Sequence, residues 1–466
     1  MASRRDQLQS YQFLLQRVIS ALVMRETDPA QVPLRRGTGA VFAGVMIAVI
    51  VAAGFGIYGL LTKSGSDQWK TEGAVVVEKE SGASFVFHKG RLFPMANYAS
   101  ALLASGSGPQ NVFREPHNSL RGVQRGIRIG IPEAPASLPD PGQTVSSPWR
   151  LCSYPAHDES NARVTRANLL VGVDAAAGRQ LHDNALLVRD SESHDQFLIW
   201  HAHRYPIHEA DAVVTALFGT QAQASDVRSS FLNALPRGVD IGPREVTGRG
   251  SESAQVPGRQ NGEVLQEETG SGKRYYIVRS DGLEPITELQ KYIEAAVTDR
   301  DPTEVPISEV KNSPTVGNEQ PSDEGAVPPK TAPTLLDMSS QDAACAQFTG
   351  NSMPELFLTG SFADSHSGTP TGAQSQQGTT LADRVVVPPG QIAVVRAMSS
   401  STATTGAYNL VTDIGKRYPV SSADALTALG YQPENAVSMP ASLVNRIPAG
   451  PSLNPDYVRF PADEEN

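Results

Sequence analysis

Residues 37–62 read GTGAVFAGVMIAVIVAAGFGIYGLLT, without one charged side chain. At about 1.5 Å per residue, a helix of that length crosses a hydrocarbon core of roughly 30 Å. A single apolar run satisfies its backbone polar groups inside lipid only as a helix, which predicts one transmembrane helix over 37–62. Small residues recur along it every four positions, at Ala40, Gly44, Ala48, Ala52 and Gly56. Such a stripe lets helix backbones approach closely in lipid. The general abundance of Ala and Gly in spanning helices produces the same pattern, so both readings stand. A buried core helix would need apolar neighbours all round.

Before this run, residues 7–25 read QLQSYQFLLQRVISALVMR. Leu8, Tyr11, Leu15, Val18 and Leu22 follow one another in steps of three and four, which is a helix stripe. Asp6 stands where a cap belongs. The element suits the inner leaflet or a cytoplasmic partner, and equally a helix with no specific partner. Residues 28–33, DPAQVP, break the helix ahead of the membrane.

After the run the pattern shortens. Residues 84–103, 196–218, 274–297 and 408–429 each read as a short strand, a turn, a second strand containing Pro, then a helix. Two copies match in detail. Arg204-Tyr205-Pro206 returns as Arg417-Tyr418-Pro419, and Gly219 and Gly430 follow the helices. Leu232-x-x-Leu235-Pro236-x-Gly238 returns as Leu443-x-x-x-Ile447-Pro448-x-Gly450. Ile131-Pro132 and Val305-Pro306 are the expected continuations of the first and third copies. A hairpin with one helix is too small to hold a core, so the copies must pair or pack against a common centre. Residues 149–173, 344–359 and 384–398 have strand character and supply that centre, one sheet domain. Stretches near 245–270, 311–333 and 362–380 are rich in Gly, Ser, Pro or Gln and are expected to be mobile loops.

The expected fold class is α+β: a single N-terminal transmembrane helix, then an elongated region of four hairpin–helix repeat domains around a central β-sheet domain. A cytoplasmic segment covers 1–36 and the membrane helix 37–62. Repeat domains cover 63–135, 191–244, 245–310 and 401–460. The central domain is assembled from 136–190 and 311–400, and an acidic tail covers 461–466.

Charge sets the orientation. Arg4, Arg5, Arg17, Arg25, Arg35 and Arg36 precede the run, against Lys63 and Lys70 just beyond it. The positive-inside rule places the N-terminus in the cytoplasm and the bulk outside. A cleaved secretory signal is the competing reading, but the run is too long for it and no small-x-small site follows Leu61. The net charge of −10 argues against a nucleic-acid binder. About 400 external residues are too many for one core. The chain's two cysteines, Cys152 and Cys345, both fall outside, where disulfides persist. One bridge is expected; two buried free thiols are the alternative, and the spacing excludes a CxxC motif.

The order and spacing of several pieces carry a resemblance. They are Ser10-Tyr11-x-Phe13-Leu14-x-x-Arg17, residues 129–135 (IGIPEAP), Trp149-x-x-Cys152, Asn233-Ala234-Leu235-Pro236 and residues 384–390 (RVVVPPG). Over nearly the whole length the chain resembles the EccB family, a membrane component of actinobacterial type VII (ESX) secretion systems. The resemblance implies a structural and assembly role in protein export. It implies EccC-, EccD- and EccE-like membrane partners, a mycosin protease joining from outside, and self-association. The family's central disulfide maps onto Cys152 and Cys345. Its repeats are similar to a wall-binding unit of phage lysins, which brings in a peptidoglycan contact and, as an alternative function, a wall-binding anchor. The chain departs from the family in ending soon after the fourth copy, at DEEN, and in its polar loops at 311–333 and 362–380.

Some family members carry an ATPase label, so a nucleotide hydrolase is a further alternative. The string Thr269-Gly270-Ser271-Gly272-Lys273-Arg274 is the nearest to a phosphate loop. A Walker A loop requires G-x-x-x-x-G-K-[ST]. Glu267 stands at its first Gly and Arg274 at its Ser or Thr, and the string precedes a strand rather than a helix. His194, His201, His203 and His208 cluster, with Asp195 and Glu209 near, but an exposed strand edge explains them more simply than zinc. No G-x-S-x-G elbow occurs, and neither cysteine has a catalytic setting. No catalytic residue, metal or cofactor is assigned.

Overall fold

The computed structural model describes residues 4–25, 35–62, 67–173, 178–270, 272–317, 326–360, 362 and 368–462. The break at 28–33, Lys63, Ser271 and the acidic residues Asp463, Glu464 and Glu465 lie outside them. The chain falls into two units. One comprises Met1–Lys70, Glu78–Gly82 and Arg114–Val123; the other comprises Thr71–Val77, Ala83–Phe113 and Gln124–Asn466.

The first unit holds helices α1 (Arg4–Met24) and α2 (Arg35–Thr62). The uncharged run makes α2, with a mean hydropathy of 2.5 over Gly37–Gly59. Trp69 is fully buried. The Lys79 N–H donates to the Glu115 carbonyl at 3.0 Å, and His117 Nδ1 lies 2.5 Å from Glu78.

In the second unit, one connection recurs. Leu186–Asp190, Gln196–Trp200 and His203–Ile207 form an antiparallel meander, and Ser225–Val227 returns parallel to its first strand. Val264–Thr269, Gly272–Arg279 and Gly282–Ile286 do the same with Thr303–Val305. So do Ile392–Met398, Gly406–Thr412 and Arg417–Val420 with Val437–Pro440. Val75–Glu78, Ser84–His88 and Arg91–Pro94 form a fourth meander. Among the described residues seven α-helices accompany these sheets: α3 (Tyr98–Ser105), α4 (Ala210–Phe218), α5 (Ser229–Ala234), α6 (Glu288–Thr298), α7 (Ile307–Asn312), α8 (Ala423–Ala428) and α9 (Ala441–Val444). Side-chain oxygens cap three of them. Asn97, Thr287 and Ser422 accept from the N–H groups of Ser100, Gln290 and Ala425, satisfying donors the helix cannot.

The leading strands differ from the sequence reading. Leu186–Asp190 and Ile392–Met398 were expected in the central domain, but each heads a small sheet. A two-stranded hairpin is marginal, and the third strand gives the helix a surface to cover. Only Arg384–Val386 of residues 384–398 joins the central sheet, parallel to Arg163–Val171. The 245–270 stretch is built rather than loose: it supplies Val264–Thr269 and a turn in which the Gly250 N–H donates to the Asn261 carbonyl at 2.8 Å. The Pro-x-Gly counterparts also shift. Arg204 bridges Arg237 and Arg417 bridges Ala449; the matching partners are Leu92 with Arg125 and Leu283 with Thr315. Ile131-Pro132 therefore lies beyond the matching place, and Val305 ends a strand parallel to Val264–Thr269.

The Arg-Tyr-Pro and Pro-x-Gly motifs are one packing device. A Cβ on Gly238 would lie 2.2 Å from the Tyr205 ring, and one on Gly450 would lie 2.4 Å from the Tyr418 ring. Both tyrosines are buried, so the ring occupies the side-chain space the glycine leaves. Gly126 serves Phe93 in the same way, at 2.4 Å. In the meander headed by Val264–Thr269 the ring position is Glu284, and its facing residue is Val316.

Helices pair to complete the cores. α3 packs on α8 through Leu102, Leu103, Leu426 and Leu429, and α4 on α6 through Val213, Val214, Leu289 and Ile293. The central sheet runs Thr369–Pro370, Arg384–Val386, Arg163–Val171, Trp149–His157, Asp342–Phe348, Glu355–Gly360, Arg179–Gln180. One side of it, with Trp149, Leu151, Leu169 and Leu358, shares a core with Phe231 and Leu232 of α5 and Leu443 and Val444 of α9. The other side carries Cys152, Tyr154, Cys345 and Phe357. Cys152 and Cys345 lie directly opposite on neighbouring strands and are bonded, with sulfurs 2.02 Å apart.

Two stability predictions follow from this packing. Gly450→Ala lowers unfolding stability by about 1–3 kcal/mol, as overpacking a ring contact does, whereas Gly142→Ala, which meets nothing within 4 Å, changes it by less than about 0.5 kcal/mol. Chemical denaturation of the two variants in parallel measures the difference. Replacing Cys152 and Cys345 together by Ala opens a 193-residue loop and costs about 2–5 kcal/mol, read as a lower denaturation midpoint without reductant. Equal midpoints for wild type and variant would contradict it.

Candidate functional site

Every described side chain of α2 from 37 to 58 is exposed. Phe42 and Phe55 are 76% and 73% exposed. Ala40, Gly44, Ala48, Ala52 and Gly56 are open too, and a Cβ built on Gly44 or Gly56 meets nothing within 4 Å. Helix α1 likewise exposes Leu8, Tyr11, Leu15, Val18 and Leu22, with Phe13 and Leu14 beside them. Its apolar surface is wider than the single stripe read from spacing. Apolar surface of this extent marks contact with lipid or protein.

The four histidines do not converge. His201 and Ala202 form the turn between Gln196–Trp200 and His203–Ile207, both with positive φ (45° and 61°). Asn, Asp and His enter that region more readily than most residues. His201 stacks on Trp200 with ring centroids 3.8 Å apart and reaches Asp183 at 3.2 Å. His203 is buried, with Nδ1 3.0 Å from the His201 carbonyl. His208 pairs with Asp240 at 2.7 Å, and His194 is exposed. His208 and Arg237 hold the Asp240 carboxyl below its ordinary range against the opposing effect of burial, the largest single influence. Among the described residues no group of three or more His, Cys, Asp or Glu is placed to hold a metal.

The Thr269–Arg274 string is a hairpin tip. Thr269 pairs with Gly272, Glu268 with Lys273 and Glu267 with Arg274 across two antiparallel strands. Lys273 is exposed on a strand, not on a loop that runs from a strand into a helix. Glu267 is buried and accepts from the Tyr276 hydroxyl at 3.1 Å. Burial, then Glu267, pushes the Tyr276 hydroxyl up.

Topology also builds a cleft that spacing did not reveal. It has a volume of about 1190 Å³ and lies between the Trp149–His157/Arg163–Val171 hairpin, the Leu186–Asp190 sheet and residues 335–342. Three of its arginines are engaged. Arg189 meets Asp226 at 2.7 Å, and Arg228 meets Glu192 at 2.8 Å and Asp383 at 3.2 Å. Arg163 donates to the Ser340 carbonyl at 2.6 Å. Such a groove offers shape and hydrogen-bonding groups to a partner, not an activated nucleophile. Its walls come from four separate stretches, and no local signal joins them.

Comparison with known proteins places these features. The chain is 27% identical to a protein of Mycolicibacterium smegmatis named ESX-3 secretion system ATPase EccB3, over 97% of this chain and 89% of the relative. A chain in the structure of an intact ESX-5 inner membrane complex superposes with a TM-score of 0.59 at 24% identity, covering 100% of this chain and 96% of that one. The EccB3 dimer from the ESX-3 core complex gives a TM-score of 0.57 at 24% identity, over 83% and 99%. These two likenesses establish the fold. Residues 1–464 match the family described as type VII secretion system ESX-1, transport TM domain B, and the chain therefore belongs to the EccB family of type VII secretion proteins.

Proposed function

We propose that this chain is a structural and assembly subunit of a type VII secretion complex in the cytoplasmic membrane, supporting protein export. The observation that carries the reading is α2. Its apolar surface is exposed from residue 37 to 58, in a chain whose family match runs from residue 1 to 464. Such a helix finds its cover in lipid and in other helices.

In this reading α2 crosses once, with the arginine-rich segment in the cytoplasm and the bulk of the chain outside. Ala40, Gly44, Ala48, Ala52 and Gly56 meet neighbouring helices. Leu8, Tyr11, Leu15, Val18 and Leu22 on α1 dock against a cytoplasmic partner. The four small sheets with their helices act as repeat domains around the disulfide-bonded central sheet. EccC-, EccD- and EccE-like subunits are the membrane partners, and a second copy of the chain is a further one. The EccB3 dimer of the ESX-3 core complex supports self-association, since its fold is shared.

Purification of the tagged full chain in mild detergent is expected to bring EccC-, EccD- and EccE-like proteins with it. Recovery of the chain alone would overturn the role. Gly44→Leu combined with Gly56→Leu fills the small-residue face, and the yield of the complex is expected to drop several-fold while membrane insertion persists. An unchanged yield would remove the packing face from the reading.

A further inference from the structure

The short helices α5 and α9 meet at a junction rich in arginine. A Ser442 hydroxyl on α9 donates to the Ala234 carbonyl of α5 at 2.8 Å. Arg446 Nε donates to the Ser442 carbonyl at 3.0 Å. Beside it, Arg417 Nε donates to the Ile447 carbonyl at 3.0 Å. On the α5 side, the Arg204 backbone N–H donates to the Pro236 carbonyl at 2.9 Å. Thr380 closes the junction from above, accepting from Arg446 Nη1 at 2.6 Å and from Asn233 Nδ2 at 3.1 Å. Arg204 and Arg417 are the matching arginines of the two Arg-Tyr-Pro motifs, so the repeat brings one cation from each side.

Three guanidiniums meet here, those of Arg204, Arg417 and Arg446. Among the described residues none of them is ion-paired. Arg204 makes no side-chain hydrogen bond, and its Nε is buried without an acceptor. Asp190 attracts it without forming an ion pair, and both nearby acids hold other donors. Asp240 takes Arg237 at 2.8 Å and His208 at 2.7 Å. Asp190 accepts from the Ser229 hydroxyl at 2.5 Å and the Glu192 N–H at 2.9 Å. Arg417 uses Nη1 only for a long 3.4 Å contact with Asn409. Burial, with repulsion from Arg204 and Arg417, pushes Arg446 down to about 10. Burial likewise lowers Arg204 and Arg417. Like charges gathered away from water are unfavourable until an anion joins them.

We propose that Arg204, Arg417 and Arg446 form a binding site for a phosphate group, either free or carried on a larger molecule. Guanidinium forks match phosphate oxygens bidentately, and a tetrahedral oxyanion offers acceptors in more directions than a carboxylate does. The site joins the sheets headed by Leu186–Asp190 and Ile392–Met398 where α5 and α9 cover the central one, so occupancy tightens that join.

Thermal unfolding of the full chain in detergent, titrated with sodium phosphate against sodium chloride at matched ionic strength, tests this. Phosphate is expected to raise Tm saturably by several degrees, and chloride is not. Arg204→Met removes no hydrogen bond of the folded chain and is expected to weaken the apparent phosphate affinity about tenfold or more. Arg446→Lys keeps the charge but loses the fork and falls between. ATP in the same titration distinguishes the source: a response equal to that of inorganic phosphate assigns the free ion, and a much stronger one assigns a carried phosphate. Identical melting of the wild type in phosphate and chloride would overturn the site. So would a phosphate response in Arg204→Met as strong as in the wild type.

Discussion

A meander of three strands with one short helix buries only one face of that helix, and the other face must find apolar company elsewhere. This shortfall of core organises the second unit. α3 turns to α8 and α4 turns to α6, each supplying what the other lacks. α5 and α9 take their company from the central sheet. α6 is also held by polar contacts to the stretch that precedes its sheet. Glu294 on α6 is fully buried, yet its carboxylate accepts from the Arg244 N–H at 2.5 Å, Gln290 at 3.0 Å and Arg249 at 3.0 Å. A buried charge held on three donors fixes where residues 244–249 cross α6 in a way that leucines alone do not.

The central sheet answers the same demand from both sides. Trp149–His157 lies at its middle, flanked by Arg163–Val171 and Asp342–Phe348. One side carries the large shared core and the other a small cluster around the disulfide. The bond joins two strands that the ladder already pairs, so its contribution falls on the unfolded chain, where a 193-residue separation is closed.

Some of this architecture is legible in the residues. The uncharged run and its flanking arginines define α2 without help from neighbours. Tyr205 with Gly238 and Tyr418 with Gly450 are visible as motifs, because a ring and the glycine it lies against must both be spelled out. The leading strands are not legible in this way. Ile392–Met398 reads as any buried strand, and only pairing with Gly406–Thr412 assigns it. The histidines are close in sequence without converging in space. Their partners, Asp183 and Asp240, sit on other elements, and turn geometry rather than ligation accounts for His201. The cleft and the arginine junction come from topology, which brings together stretches more than a hundred residues apart.

The pairing of α3 with α8 carries a consequence for how the chain is made. From Ser105 to Ala423 is 423 − 105 = 318 residues. At about 5–20 residues per second, the ribosome takes roughly 15–65 s to bring the second helix into being after the first. Through that interval Leu102 and Leu103 have only their own sheet to pack on, without Leu426 and Leu429. The earliest-made sheet of this unit is thus among the last to be finished, and the chain depends on its surroundings to shelter that surface until its far end arrives.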